Sequence, residues 1–172
     1  MTQRQEFKII KKYDGFEVRE YLPCVLAVVK TGAPLAGQSN QGFGHLFSYI
    51  SKGNASGQKI AMTAPVIAAS KEGMQAPQWE MSFVMPAQSV LSEMPVPNSP
   101  NVIMREMPSE DCAVVSFKGR ATDEVCAKKE KELRALILAS GLHASEEVRI
   151  ARFDPPFKPG FLHYNEIIIP LK

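Results

Sequence analysis

One carboxylate stands at the head of an apolar segment near the end of the chain. Glu166 is followed by three isoleucines, and strand alternation would place its side chain on the same face as Ile168. A carboxylate in such a place needs a partner, because burial of an unpaired charge costs free energy. Two interpretations are open. In the first, an arginine such as Arg19 or Arg152, or water at a strand end, balances the charge. In the second, the carboxylate faces a cleft and binds a cationic or hydrogen-bonding ligand.

Two aromatic residues, Phe43 and Phe47, lie one helical turn apart. With Leu46 and Ile50 they follow the i, i+3, i+4, i+7 spacing that predicts one apolar face of a helix. Such a face either packs against a sheet as core or offers a flat apolar floor to a bound ligand. The affinity of that ligand would come mostly from buried area.

Three histidines are candidates for binding a metal ion. His45 falls on the same helix but off the aromatic stripe, which predicts an exposed side chain, and His143 is expected in a loop. His163 stands beside an expected strand and close in sequence to Lys158, which makes it the best metal-ligand candidate of the three. No neighbour in the sequence fixes the tautomer of its ring, so the assignment is weak.

The sequence contains no recognisable catalytic set. It has no GxSxG, no HExxH and no phosphate-binding glycine loop, so we do not expect an enzyme. The three cysteines, Cys24, Cys112 and Cys126, are odd in number and lack CxxC spacing, which argues against a disulfide framework or a zinc site. Their apolar neighbours predict buried thiols that act as small hydrophobic side chains.

Composition bounds the class of protein. A chain of 172 residues with 45% hydrophobic and 22% charged residues suits a single globular domain, residues 1–172. A net charge of +2 is too small to indicate a nucleic-acid partner. No stretch approaches the roughly 18 apolar residues of a membrane span, so membrane insertion is not expected. The first residues lack the apolar core of a signal peptide, which predicts a cytoplasmic location. The oligomeric state stays open.

The chain reads as an internal duplication of about residues 1–94 and 101–172. VREYLPCVLAVV (residues 18–29) matches MREMPSEDCAVV (residues 104–115) at an offset of 86 residues. KIAMTAPV (residues 59–66) matches RIARFDPP (residues 149–156) at an offset of 90 residues. The proline-rich PVPNSPN separates the two halves. Matched blocks in the same order indicate repeated structural units.

Each half predicts a strand, a helix and two further strands. Ser39 or Asn40 could cap the first helix and Gly53 could end it, whereas Thr122 and Gly141 bound the second. The segments KIAMTAPVIAA and QWEMSFVMP are expected as strands of the first half. The predicted fold is therefore α+β with a pseudo-twofold axis: a mainly antiparallel sheet, or distorted barrel, covered by two helices.

Four segments resemble the SOUL heme-binding family: FEVREY near the start, KIAMTAPV, ARFDPPFKP and the terminal YNEIIIPL. The resemblance runs from about Phe7 to Leu171. It implies a pseudo-symmetric sheet with two helices that binds heme or a related tetrapyrrole, without an established catalytic reaction. The architecture is also similar to gyrase-inhibitor-like domains, which hold aromatic and often cationic ligands in a cleft between two halves.

The family's binding residues carry over only in part. In one branch a histidine after the arginine of the first strand was proposed as the axial ligand of the heme iron, and Glu20 stands at that position here. In another branch heme is thought to lie on an apolar helix surface with basic side chains at its propionates. The resemblance places that surface on Phe43, Phe47 and Ile50 and the loop lysine on Lys158, whereas Asn40 replaces a basic helix residue.

The leading prediction is a heme- or tetrapyrrole-binding protein without strong axial ligation by histidine. Its cofactor-binding candidates are the helix face, Lys158, His163 as a weak iron ligand, and Glu166. The first alternative is a gyrase-inhibitor-like small-molecule sensor or hydrolase with Glu166 as its polar anchor. The second alternative is a protein-interaction module, because a shared fold does not settle function.

Overall fold

The computed structural model describes residues 2–32, 39–155 and 157–172, without the side chains of residues 39–41. Residues 33–38, the caps expected from the side chains of Ser39 or Asn40, and the second proline of RIARFDPP therefore lie outside the described residues.

The first half of the described chain has one α-helix, α1, at Ser39–Ile50. Four strands precede this helix and three follow it. They are β1 (Gln3–Arg4), β2 (Phe7–Tyr13), β3 (Phe16–Tyr21), β4 (Cys24–Thr31), β5 (Thr63–Ala64), β6 (Val66–Ser70) and β7 (Trp79–Val84).

The second half of the described chain has the longer helix α2, at Asp123–Ala139. As predicted, the Thr122 hydroxyl caps it by accepting a hydrogen bond from the Val125 amide at 3.2 Å. Gly141 follows its end with a φ of +77°, a backbone conformation that favours glycine. The strands of this half are β8 (Ile103–Met107), β9 (Glu110–Lys118), β10 (Val148–Arg152) and β11 (Tyr164–Pro170).

Nine of these strands form one curled sheet in the order β2-β3-β9-β11-β10-β6-β7-β4-β8, with every neighbouring pair antiparallel. β1 and β5 form a separate two-residue parallel pair. The predicted α+β class, with a mainly antiparallel sheet and two helices, is confirmed. No helix in the described part of the chain is long and apolar enough to cross a bilayer.

Both helices pack on the same face of the sheet. α2 buries Leu133 and Ile137 against β9, β10 and β11, whereas α1 buries Leu46 and Tyr49 against β4 and β7. Side chains alternate along each strand, so the opposite face is lined by the other residues of the same strands. We call this opposite side of the sheet the cleft face. It carries smaller apolar clusters and most of the buried charged groups.

The order of strands is symmetric about the boundary between β10 and β6. Exchanging β3 with β8, β4 with β9, β6 with β10 and β7 with β11 gives the order from β3 to β8 in reverse, so every strand keeps equivalent neighbours. Arg19 and Arg105, which the repeat equated, lie in the corresponding strands β3 and β8. The duplication itself stays a prediction, which superposition of the two halves would test.

One of the matched sequence blocks does not correspond to matched strands. Lys59–Met62 were expected to begin a strand, but strand structure starts only at Thr63, and Pro65 separates β5 from β6. Proline has no amide hydrogen for a strand ladder, which explains the break. The sequence match therefore aligns Arg149–Arg152 of β10 with Lys59–Met62, which are not in a strand, and β10 pairs instead with β6.

Candidate functional site

The outer side of α1 carries two exposed aromatic rings. Phe43 and Phe47 are 36% and 49% exposed, and their ring centroids lie 5.8 Å apart with planes 14° from parallel. Phe43 also contacts Phe83 of β7 at 5.3 Å between ring centroids, which ties the pair to the sheet. We call Phe43 and Phe47 the aromatic shelf. Full burial of both rings would have excluded a role as a ligand floor, so this interpretation stays open.

The rest of the predicted apolar stripe is buried beneath the shelf. Leu46 and Ile50 are core residues, and so is Tyr49, which the spacing of apolar residues did not single out. Gly42 brings the start of α1 close to β4, because a Cβ at this position would lie only 3.2 Å from Val29 Cγ2. One side of the helix, which includes Ile50, therefore packs against the sheet, and the shelf lies on its outer side.

The loop between β10 and β11 holds Lys158 and His163 in place. Lys158 Nζ lies 2.9 Å from Asp154 Oδ1, and Asp154 Oδ2 accepts a hydrogen bond from the Tyr164 amide at 2.6 Å. The bonds from Lys158 and then from the Tyr164 amide lower the pKa of Asp154. The charge of Lys158 is thus already partly balanced, although its side chain remains 40% exposed.

A backbone carbonyl fixes the tautomer of His163. Its Nε2 lies 2.7 Å from the Lys158 carbonyl oxygen, which can only accept a hydrogen bond. Nε2 therefore carries the proton, and Nδ1 is the nitrogen left to bind a metal ion. This tautomer was not predictable from the sequence, because Lys158 approaches through its backbone and not its side chain.

The histidine of α1 faces away from the shelf. His45 is half-buried rather than exposed, and its Nε2 lies 3.5 Å from Asn101 Nδ2. A residue two positions after Phe43 and two before Phe47 is rotated by about 200° from each, so His45 points to a different side of α1. Among the described residues, no group of three or more His, Cys, Asp or Glu side chains is arranged to hold a metal ion.

Glu166 lies on the cleft face and is fully engaged. Its two oxygens accept hydrogen bonds from Arg19 at 2.9 and 2.8 Å, and Oε2 also accepts one from the Tyr164 hydroxyl at 2.7 Å. Only 3% of Glu166 is exposed. Arg19 is thus the basic partner, as one interpretation of the sequence proposed. Arg152 points to the other face, where it donates to the Ala121 carbonyl at 2.9 Å.

Further bonds hold Arg19 around this pair. It donates from Nε to Glu17 at 2.7 Å and from Nη1 to the Tyr21 hydroxyl at 3.0 Å, and its Cζ lies 4.0 Å from the ring centroid of Phe7. Burial alone would lower the pKa of Arg19, but its bonds to Glu166 and Glu17 outweigh burial and raise it. Burial raises the pKa of Tyr21, so both the hydroxyl and the guanidinium keep their protons.

A second pair of the same kind occupies the other end of the cleft face. Arg105 of β8 donates to both oxygens of Glu80 in β7, at 2.8 and 2.9 Å. Glu80 and Glu166 are 86 residues apart, as are Arg19 and Arg105. The repeat in the sequence could therefore have identified Glu80, although only Glu166 stood at the head of an apolar run.

Two cavities beside the ion pairs of the cleft face are small, whereas a larger one of about 780 Å³ lies next to Glu80 and Lys71. One of about 140 Å³ lies between the ion pairs and is lined by Arg105, Glu80 and Arg149, and another of about 80 Å³ adjoins Glu166. Pockets for drug-sized ligands usually measure about 300–1,000 Å³. A porphyrin therefore does not fit within either of the two small cavities, whereas the exposed shelf on α1 sets no such limit.

Comparison with known proteins decides the family. A family model described as SOUL heme-binding protein matches residues 2–170, nearly the whole chain. The chain belongs to the SOUL family. The family description names heme binding. The comparison with curated proteins gave no match.

Several solved structures share the SOUL-type fold of this chain. The C-terminal domain of EcmrR has 15% sequence identity and a TM-score of 0.69, over 90% of this chain and 95% of that domain. A hydrolase from Listeria innocua has 11% identity and a TM-score of 0.68, over 91% of each chain. SAV2435 bound to tetraphenylphosphonium has 12% identity and a TM-score of 0.52, over 91% and 93% of the two chains. At these identities the similarity establishes the fold alone.

The cysteines of this SOUL protein are buried or half-buried thiols. Burial raises the pKa of Cys112 to about 12 and that of Cys126 to about 11, and it also raises the pKa of the half-buried Cys24. A thiol with a raised pKa forms little of the reactive thiolate at neutral pH. These residues are therefore poor candidates for catalysis or metal binding.

Proposed function

We propose that this SOUL protein binds heme or a related tetrapyrrole on the aromatic shelf. The observation that carries the proposal is the pair of nearly parallel, exposed rings of Phe43 and Phe47 in a member of a heme-binding family. A flat apolar macrocycle gains affinity from area removed from water, and stacked rings offer such area at little cost in side-chain entropy.

The polar part of the proposed site is weak. Lys158 would meet a propionate only by exchanging its bond to Asp154, and His163 would reach the iron only through Nδ1. Iron in heme is commonly held by a histidine or another strong axial ligand. We therefore expect weak axial ligation and a largely high-spin spectrum for the bound heme.

Titration of the protein with hemin, followed by the Soret absorbance, tests the proposal. Phe47→Ala removes one ring of the shelf and should weaken binding about tenfold or more, since burial of a phenylalanine side chain contributes about 1.5–3 kcal/mol. Leu138→Ala removes a side chain that is 75% exposed on α2 and serves as the matched control. Equal affinities of Phe47→Ala, Leu138→Ala and the wild type would contradict the shelf.

A second candidate function is the binding of a cationic organic molecule on the cleft face. It is supported by Glu166, a buried carboxylate beside two aromatic rings, and by the shared fold of SAV2435, which was solved with tetraphenylphosphonium. A cation would have to compete with Arg19 for Glu166. Titration with tetraphenylphosphonium separates the candidates, because Phe47→Ala should leave its binding unchanged.

A further inference from the structure

One end of the cleft face holds a guanidinium against two aromatic rings. Arg4 of β1 places its Cζ 5.0 Å from the ring centroid of Phe153 and 5.9 Å from that of Tyr164. Both distances fall within the range of about 6 Å over which a cation is attracted to a ring face. The two rings meet edge to face at 5.1 Å between centroids. We call Phe153 and Tyr164 the aromatic cage.

The surroundings of the cage strengthen its attraction for cations. Tyr164 donates its hydroxyl hydrogen to Glu166, and this bond shifts electron density toward the ring. A more electron-rich ring binds a cation more strongly, because the interaction is electrostatic. The cavity of about 80 Å³ that adjoins the cage is lined by Arg4, Phe7 and Pro65 as well, so space for a small group lies beside the guanidinium.

A short stretch of backbone pairing holds Arg4 beside the cage. β1 has two residues and pairs in parallel with β5, and the Gln5 amide donates to the Ala64 carbonyl at 2.8 Å. The side chains of β1 are exposed. A segment with few backbone bonds and little buried surface opens at a small fraction of the global unfolding free energy.

We propose that the aromatic cage is a binding site for guanidinium compounds and similar flat organic cations, and that Arg4 is its built-in occupant. The N-terminal segment then acts as a strap that an incoming cation displaces. The fit to this chemical class is set by Arg4 itself, since the chain places a guanidinium there. The inference deepens the second candidate function and is independent of heme binding on the shelf.

The test compares the wild type with Arg4→Ala in titrations with methylguanidinium, followed by NMR shifts of the Phe153 and Tyr164 ring protons. An occupied site lowers apparent affinity by the fraction of time that it is open. If Arg4 leaves the cage open about one tenth of the time, Arg4→Ala should bind about tenfold more tightly. Lys8→Ala removes an equal charge from the neighbouring exposed strand β2, and Lys8 does not line the cage, so this variant should bind like the wild type.

Three outcomes would overturn parts of this inference. Equal affinities for wild type, Arg4→Ala and Lys8→Ala would show that the cage binds cations but that Arg4 does not guard it. No binding by Arg4→Ala, with an unchanged urea unfolding midpoint, would remove the cage as a cation site. A gain that persists in Arg4→Ala/Phe153→Ala would place the bound cation elsewhere. Hemin titration of the same proteins reports separately on the shelf.

Discussion

The two arginine–glutamate pairs of the cleft face provide a matched measurement of what burial does to an ion pair. Both pairs are bidentate, with nitrogen–oxygen distances of 2.8 and 2.9 Å. The side chains of Arg19 and Glu166 are 8% and 3% exposed, whereas those of Arg105 and Glu80 are 37% and 21% exposed. The same substitution in each glutamate therefore changes the same bidentate arginine contact in two different environments, and in Glu166 it also affects the bond from the Tyr164 hydroxyl.

Glu166→Gln keeps the shape of the side chain and leaves the charge of Arg19 in a poorly solvated place. Removal of one partner from a buried pair costs about 3–5 kcal/mol. The remaining bond from Arg19 to Glu17 and the contact with the Phe7 ring place the expected loss at the lower end, about 3 kcal/mol. Glu80→Gln should cost only about 0.5–1 kcal/mol, because Arg105 can turn toward water.

Urea unfolding at pH 7, followed by the fluorescence of the single, buried Trp79, measures both losses. Arg19→Met combined with Glu166→Gln should be less destabilised than Glu166→Gln alone, because it removes the unpaired charge. Equal losses in the two single variants, or a larger loss for Glu80→Gln, would refute the reasoning from burial. The sequence alone predicts that Glu166→Gln leaves the fold largely intact. Because Arg19 is buried, we instead expect this substitution to lower the free energy of unfolding.

Three further predictions follow from single side chains. Leu46→Ala should lower the unfolding free energy by about 2–5 kcal/mol, whereas Phe47→Ala, half-exposed on the shelf, should cost less than about 1 kcal/mol in the same urea assay. Cys112, whose pKa burial raises to about 12, should resist a thiol reagent at pH 8 until the protein unfolds. The pKa of Asp154 is lowered mainly by Lys158. The ionised Asp154 therefore stabilises the fold above the ordinary aspartate pKa, and this stabilisation is lost as the pH falls through the lowered pKa. Asp154→Asn should remove this dependence on acid pH from the unfolding curves.

The fold class was readable from the sequence because local patterns agree with the final structure. Thr122 and the 3.6-residue spacing of Leu133 and Ile137 specify α2, and its boundaries follow from capping chemistry. The strand expected from Lys59 was not readable in the same way. β-branched and small residues favour a strand there, but strand structure begins only at Thr63, and Pro65, which cannot donate a ladder hydrogen bond, separates β5 from β6.

The candidate sites were predictable only where a residue's own type carried the signal. Glu166 was identified because a charge at the head of an apolar run needs a partner, and Arg19 was named among the choices. The exposure of Phe43 and Phe47 was not predictable, because the same helical spacing of apolar residues occurs in buried and in exposed helix faces. Leu46, which belongs to the same pattern, is buried. Arg4 was missed entirely, because its contact with Phe153 depends on a strand pairing distant in sequence.

The N-terminal strands explain why two such similar ion pairs differ in burial. In the symmetric order, β3 and β8 occupy corresponding positions, but β2 lies outside β3 whereas β8 is an edge strand of the described sheet. Phe7 of β2 stacks on Arg19, and Arg4 of β1 covers the rings beside Glu166. The half that contains Arg105 has no counterpart of this cover among the described strands, and its pair remains partly exposed. The stretch formed by β1 and β2, which has no counterpart in the second half of the described sheet, thus breaks the symmetry of the cleft face. It buries the Arg19–Glu166 pair and closes one end of the cleft face, whereas α1 presents the aromatic shelf on the opposite face of the sheet.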